Sequence, residues 1–145
     1  MTTHEETTPV LVGAGQITAR EPDPERTPIG LVAEAARAAA ADCGVTGVLG
    51  QIQSLTCLNI LAPSYSDAPS TLARHLGIDP GERFYTPIGG NMGQWLVGYY
   101  ADRIAAGGLD CILIAGGEAL ATQMRGKGAG LSGVLDTATG EGPRL

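Results

Sequence analysis

Short apolar runs recur along the chain, and each is bounded by glycine, proline or polar turn residues. The runs occupy residues 9–15, 52–60, 84–88 and 110–117. Runs of this length that end in turn-forming residues are typical of buried strands. The pattern therefore predicts four strands, of which the first (PVLVGAG) and the last (DCILIAGG) both end in glycines.

Between the first two runs, apolar residues recur at the helical period. Thr27 and Pro28 supply a hydroxyl cap followed by proline at the first helical position, and Gly44 supplies a stop. The residues predicted to form the apolar face of this amphipathic helix are Leu31, Val32, Ala35, Ala39 and Cys43.

Two more helices are predicted further along the chain. A short one begins after Asp67 and ends at Gly77. A longer one spans residues 91–106 (NMGQWLVGYYADRIAA), where only Asp102 and Arg103 are charged. A helix that is apolar all round is normally buried all round. We therefore expect this third helix to lie between two layers, one of which is missing from this chain.

Strands that alternate with helices through short connections are typical of a parallel α/β sheet with right-handed crossovers. We expect such a sheet over residues 10–120, with helices on both faces. Residues 1–9 are polar and read as a flexible lead, and residues 121–145 are a glycine-rich loop region without periodicity. Because no closing helix follows the fourth predicted strand, we expect the chain to be a fragment of a longer protein.

Charge and composition narrow the function. A formal net charge of −6 disfavours nucleic-acid binding, which calls for a basic surface. The sequence has no apolar run long enough to span a membrane and no secretory signal at its start. Three cysteines without paired spacing indicate reduced thiols and a cytoplasmic location. Their spacing, together with two isolated histidines, gives no zinc-site pattern.

The glycines at the end of the first run allow two interpretations. Gly13-Ala14-Gly15 resembles the start of a dinucleotide-binding turn, which needs a third glycine and a helix that follows directly. Thr18 stands where that third glycine is expected, and a proline-rich stretch intervenes before the helix. The sequence therefore favours a tight exit from a strand.

Residues 89–94 (GGNMGQ) connect the third predicted strand to the third helix. A sharp turn there would hold one residue at the helix N-terminus, where free N–H groups stabilise an anion. A serine or cysteine at this place would be a candidate nucleophile, and this chain has neither. The alternative is that Asn91 simply caps the helix.

The remaining reactive side chains favour structural roles. Cys43 lies near a predicted helix end, Cys57 within a strand and Cys111 at the start of one. None occupies a helix N-terminus, where a thiolate would be stabilised, so all three are expected to fill the core. His75 lies beside leucines in the short helix and is expected at a surface or interface.

Three segments together resemble the N-terminal half of the thiolase superfamily, in its acetyl-CoA acetyltransferase-like branch related to sterol-carrier-protein thiolases. They are PVLVGAGQIT, LVAEAARAAAADCG and PIGGNMGQWLVGYYADRIAAGGLDCILIAGGEAL. The resemblance extends from residue 9 to about residue 125, and it includes the strand that ends in Gly116-Gly117-Glu118. It implies a thiolase-type α/β half and acyl transfer with coenzyme A, a reaction of lipid metabolism.

The resemblance also implies a departure at the position that defines thiolase chemistry. A thiolase opens its buried helix with Cys-Gly-Ser-Gly, and aligning that motif puts Gly90 at the nucleophilic cysteine, Asn91 beside it and Gly93 at the last glycine. The histidine and second cysteine that activate the nucleophile come from the C-terminal half of the family. The resemblance thus implies a thiolase-like chain with no catalytic residue of its own.

Two functions remain open on this basis. One is a protein that binds coenzyme A or acyl-CoA, with Arg125 and Lys127 meeting the phosphates; alternatively, these two side chains belong to a solvated loop. The other is a non-catalytic subunit that supports a thiolase-like complex. In either function we expect a homo- or hetero-oligomer, or pairing with the missing C-terminal half. No permanently bound cofactor is expected.

Overall fold

A computed structural model describes residues 7–21, 23, 25–61 and 65–122. At its centre lies a parallel sheet of three short strands: β1 (Ser54–Cys57), β2 (Glu82–Tyr85) and β3 (Ile112–Ala115). Their order is β2-β1-β3, and Ser54 lies opposite both Glu82 and Ile112. All four residues of β1 are buried, because that strand has a neighbour on each edge and packed layers on each face.

Three helices surround the sheet: α1 (Pro28–Cys43), α2 (Ala68–Leu76) and α3 (Met92–Ala105). A turn of 3₁₀ helix, Val48–Gln51, precedes β1. The ends of α1 follow from its sequence. Thr27 accepts a hydrogen bond from the backbone of Gly30 at 3.1 Å, and Gly44 adopts the left-handed conformation, φ 72°, that ends the helix.

The same signals delimit α2. The Asp67 side chain accepts a hydrogen bond from the backbone of Ser70 at 3.1 Å, and Gly77 closes the helix with φ 69°. Both helix positions predicted from these caps are confirmed.

Helices α1 and α2 cover one face of the sheet. Leu55 and Cys57 of β1 point into this layer, where they join a buried cluster with residues of both helices. The fully buried side of α1 consists of Ile29, Val32, Ala33 and Ala36. The predicted apolar face is therefore wrong by about one residue step: only Val32 of the predicted set is buried. Ala35, Ala39 and Cys43 are half-buried.

Helix α3 covers the opposite face of the sheet. Its Leu96 and Tyr100 are buried against Ile112 and Ile114 of β3. The Tyr100 hydroxyl lies 2.8 Å from the Ser54 hydroxyl and also forms a hydrogen bond with Thr56. These two polar side chains of β1 are fully buried, so their pairing with Tyr100 removes the cost of burying unpaired hydroxyl groups.

An ion pair holds the far end of α3 to the sheet. Two nitrogens of the Arg103 guanidinium contact the two carboxylate oxygens of Glu82 in β2, at 2.7 and 2.8 Å. This two-point geometry is the strong form of an arginine–carboxylate contact. The hydrogen bonds from Arg103 lower the pKa of Glu82 below its ordinary value of 4.5.

The predicted class, a parallel α/β sheet with helices on both faces, is confirmed. Three of the four predicted strands are present, and each is shorter than its apolar run. The run at 84–88 is displaced most: pairing begins at Glu82 and ends at Tyr85, and Ile88 is 73% exposed. In the sequence, the apolar residues continue beyond the last residue that is paired with a neighbouring strand.

The prediction of a buried first strand at residues 9–15 is wrong for the described residues. This segment pairs with no described strand, and Val10, Leu11 and Val12 are 71%, 87% and 58% exposed. The segment instead lies along α1. A Cβ atom on Gly13 would stand 2.3 Å from the carbonyl oxygen of Ala39. A strand exists only where a neighbouring strand accepts its hydrogen bonds.

Helix α3 is buried on its sheet side and partly exposed elsewhere among the described residues, as expected if one of its two covering layers is missing from this chain. Trp95 is 48% exposed and Val97 is 56% exposed. These two residues lie on opposite flanks of the helix, and Val97 lines a cavity that β3 also lines. Within the described ranges, no helix is both long and apolar enough to cross a membrane.

We expect Tyr100→Phe to lower the free energy of unfolding by about 1–3 kcal/mol, because it removes the hydrogen-bond partner of the buried Thr56 hydroxyl and one of the partners of Ser54, whose side chain also bonds Glu82. Urea unfolding followed by circular dichroism measures the change. Replacing the partners as well, in Tyr100→Phe with Ser54→Ala and Thr56→Val, should recover part of the loss. Unchanged stability in Tyr100→Phe would contradict this account of the contact.

Acid should weaken the ion pair between Glu82 and Arg103. Because the pKa of Glu82 is lower in the folded state, its contribution to stability is complete above pH 4.5 and is lost as the pH falls through the lowered value. Unfolding titrations at a series of pH values should therefore show a shallower acid dependence for Glu82→Gln. Arg103→Gln should remove the same part of the dependence, and a wild-type profile in Arg103→Gln would contradict the assignment.

Candidate functional site

The three parallel strands deliver their carboxyl ends to one edge of the sheet, the edge at which open α/β sheets bind ligands. A cavity of about 200 Å³ opens there. Its walls come from the residues that follow all three strands: Leu58, Asn59, Leu61, Thr86, Pro87, Ile88, Gly89, Gly90 and Glu118. We refer to it as the strand-end cavity.

Gly89 and Gly90, which immediately precede α3, form one wall of the strand-end cavity. Asn91 is the N-cap residue of α3, as the second interpretation of this turn has it, although its side chain makes no capping hydrogen bond. The first turn is closed by the backbone of Trp95, which donates to the Asn91 carbonyl at 3.0 Å. The first N–H groups of a helix have no partner within it and form a site for negative charge.

Gly90 lies in the cavity wall, just before this helix start. A Cβ atom built on Gly90 meets nothing within 4 Å, so the position has room for a side chain. Gly93, one turn into the helix, faces Leu58 of the cavity wall, with 3.8 Å between its ideal Cβ and the leucine Cδ2. Of the three residues of the aligned motif, Gly90 lines the cavity, whereas Asn91 and Gly93 follow it in the chain and are not among the lining residues.

Glu118 contributes the acidic group of the cavity. Its Oε1 accepts a hydrogen bond from the backbone N–H of Leu61 at 2.5 Å, and Oε2 is buried with no hydrogen-bond partner among the described residues. The sequence pattern identified Glu118 only as the end of a strand motif. The signal for a site residue was its position directly after a strand and a glycine pair.

The two glycines before Glu118 are required by packing. A Cβ on Gly116 would lie 2.9 Å from the Cβ of Leu58, and one on Gly117 would lie 2.9 Å from a methyl group of Val32. Larger residues would push β3 away from its neighbours. The glycine pair therefore allows the backbone to pack closely here, which places Glu118 at the cavity.

Asn59 joins two of the loops that form the cavity. Its backbone N–H donates to the Thr86 hydroxyl at 3.0 Å, and its side-chain amide donates to the Thr86 carbonyl at 3.2 Å. Because one residue follows β1 and the other follows β2, these bonds hold the two strand ends in register. The cavity offers a ligand one carboxylate acceptor, the Oε2 atom of Glu118.

No cysteine among the described residues lines this cavity. Cys57 is fully buried, and burial raises the pKa of its thiol to about 12. Burial also raises the pKa of Cys111, while Cys43 is half-buried at the end of α1. A raised thiol pKa leaves little of the reactive thiolate at neutral pH.

The other sequence motifs contribute little to a site. Gly13 and Gly15 pack against the backbone of α1, where a Cβ on either would come within 2.3 Å of a carbonyl oxygen. This close approach explains both glycines without a dinucleotide. Arg125 and Lys127 lie outside the described residues. Among those that are described, no group of three or more His, Cys, Asp or Glu side chains is arranged to hold a metal ion.

Comparisons with known proteins agree with the fold and its motifs. No family model matches the sequence, and no curated protein matches it. Among solved structures, the chain is similar to a monomeric SCP2-thiolase-like protein type 1 from Mycobacterium smegmatis, with 35% sequence identity and a TM-score of 0.67. The match covers 77% of this chain and spans 23% of the length of that protein. The chain therefore belongs to the SCP2-thiolase-like proteins of the thiolase superfamily.

Proposed function

We propose that this chain is a thiolase-like protein that binds coenzyme A or an acyl-CoA and lacks the nucleophilic cysteine of the acetyl-CoA acetyltransferases. The observation that carries the proposal is Gly90, which stands in the wall of the strand-end cavity at the start of α3. It has no side chain there, although the position is open.

The start of α3 supports thioester binding because of its backbone. Free N–H groups at a helix N-terminus stabilise an oxygen that gains negative charge, as a thioester carbonyl does under nucleophilic attack. This capacity does not depend on the side chain at position 90. Binding of an acyl-CoA carbonyl therefore survives the loss of the nucleophile, while covalent transfer of the acyl group does not.

A second function, that of a non-catalytic subunit, is favoured by large apolar side chains exposed near the start of α3. Trp95 exposes about half of its surface, and Ile88, which precedes the helix, is 73% exposed. Large apolar side chains grouped on one surface are typical of protein interfaces. The first function predicts a ligand at the strand-end cavity, whereas the second predicts a protein on α3.

No acyl-enzyme should form on this chain. Incubation with acetyl-CoA followed by intact-protein mass spectrometry should show the unmodified mass, because Gly90 has no nucleophile and Cys57 is buried with a raised pKa. A stoichiometric adduct on Cys57 or Cys111 that free coenzyme A removes would contradict the proposal.

Gly90→Cys supplies the matched comparison. Its thiol would sit at the N-terminus of α3, where the helix lowers a cysteine pKa, so it should react with iodoacetamide faster than the thiol of Gly98→Cys in the middle of the same helix. Gly98 is exposed, and a Cβ there also meets nothing within 4 Å. Turnover should stay near zero in both, because the activating histidine and second cysteine of thiolases are not supplied.

Coenzyme A should bind to the intact chain, and Arg125→Ala should weaken the binding at least about tenfold through the loss of a charged hydrogen bond to phosphate. Isothermal titration calorimetry measures both affinities. Arg20→Ala, which removes an exposed arginine elsewhere, is the control and should bind like the wild type. No heat of binding to the intact chain would refute the coenzyme A proposal.

A further inference from the structure

The carboxylate of Glu118 is only half satisfied. Its Oε1 atom accepts the backbone N–H of Leu61, whereas Oε2 is buried and has no hydrogen-bond partner among the described residues. None of the ion pairs found within the described ranges includes Glu118. Burial of an acceptor without a donor opposes folding, so an atom of this kind indicates a place where a further group completes the hydrogen bond.

The fold holds this oxygen at the strand-end cavity. Leu61 follows β1 and Glu118 follows β3, so the hydrogen bond between them joins two of the segments that form the cavity wall. The close packing of Gly116 and Gly117 sets the path of the backbone before Glu118. Because a carboxylate is planar, an anchored Oε1 leaves Oε2 little freedom to turn away from the cavity.

Apart from Glu118, most of the described cavity wall is apolar. It consists of Leu58, Leu61, Pro87, Ile88, Gly89 and Gly90. The two other polar members, Asn59 and Thr86, are hydrogen-bonded to each other. A group that suits this wall is therefore mainly hydrocarbon and carries one hydrogen-bond donor for Glu118.

The volume of the cavity limits this group to a short one. The cavity measures about 200 Å³, and a water molecule takes about 30 Å³ in the liquid, so roughly six or seven atoms other than hydrogen fit. Because Gly90 has no side chain, none of this volume is taken up by a nucleophile. An acyl group of four carbons that bears one hydroxyl, and so has two oxygens, is of this size.

We propose that the strand-end cavity receives a short hydroxyacyl group of an acyl-CoA, whose hydroxyl donates a hydrogen bond to Oε2 of Glu118. This inference rests on the proposed function, because coenzyme A carries the acyl group. An ionised carboxylate only accepts hydrogen bonds, so it pairs with a hydroxyl and repels the oxygen of a keto group at the same place. A saturated acyl group leaves Oε2 unpaired. Glu118 thereby determines specificity among short acyl groups.

Isothermal titration calorimetry on the intact chain tests this preference. The probes are each enantiomer of 3-hydroxybutyryl-CoA, together with butyryl-CoA and acetoacetyl-CoA. One enantiomer of the hydroxy compound should bind at least about tenfold more tightly than butyryl-CoA and acetoacetyl-CoA, which is the effect of one hydrogen bond to a charged group. Any other order of affinities would overturn the role of Glu118 and leave coenzyme A binding in place.

Thioesters without the nucleotide separate this inference from coenzyme A binding. The same acyl groups on N-acetylcysteamine present the acyl end alone, and saturation-transfer NMR ranks their binding. If no coenzyme A thioester binds, coenzyme A binding is refuted, and the short thioesters decide on the contact with Glu118. A preference for the hydroxy compound then supports the contact, whereas no preference, or no binding of any thioester, overturns it.

Glu118→Gln should abolish the discrimination between hydroxyl and keto groups. Its amide oxygen must accept the Leu61 N–H, so the amide nitrogen takes the position of Oε2 and offers a donor, which a hydroxyl and a keto oxygen accept equally. The affinity ratio of 3-hydroxybutyryl-CoA to acetoacetyl-CoA should therefore fall from at least about tenfold to about one. A merely structural role of Glu118 would weaken both ligands alike and leave their ratio unchanged.

Glu25→Gln is the matched control, because Glu25 is exposed and lies outside the cavity wall. This variant should keep the wild-type affinity ratio. Circular dichroism checks that both variants fold, and if Glu118→Gln does not fold, the preference of the wild type decides alone. A wild-type ratio in folded Glu118→Gln would overturn the proposal.

Discussion

Burial of the central strand on both faces is the constraint on which the rest of the structure depends. Leu55 and Cys57 of β1 pack against α1 and α2, whereas Ser54 and Thr56 face α3 and share the hydroxyl of Tyr100. A strand with polar residues on a covered face is stable only if those residues are hydrogen-bonded. Tyr100 therefore fixes the position of α3 on the sheet, and with it the position of the residues that precede the helix.

From this constraint the strand-end cavity follows. Once α3 is held by Tyr100 at its middle and by Arg103 near its end, its first turn must lie beside the ends of β1 and β3. The backbone path before α3 does not depend on a side chain at position 90, where a Cβ atom would meet nothing within 4 Å. The fold is thus separable from nucleophilic catalysis, since the former comes from packing and the latter from one side chain.

The sequence predicts a feature of the fold well when the residues that determine the feature are close together in the chain. The ends of α1 and α2 were predictable because a cap such as Thr27 and a left-handed glycine such as Gly44 act within a few residues. The three paired strands were predictable as apolar runs, but their ends were not, because pairing stops where the partner strand stops. Glu118 was missed as a site residue because its environment is built from Leu61 and other residues distant in sequence.

The failed prediction of a first strand and the partial exposure of α3 have one physical cause. Residues 9–15 read as a buried strand and α3 reads as a helix buried all round, yet Leu11 is 87% exposed and Val97 is 56% exposed. In each the apolar pattern records burial that the described chain does not provide. The pattern of apolar residues indicates the surroundings in which a segment is stable. The structure of the described residues contains only part of those surroundings. The mismatch between the two is therefore itself structural information: at residues 9–15 and at α3 it marks apolar side chains that the described residues leave uncovered.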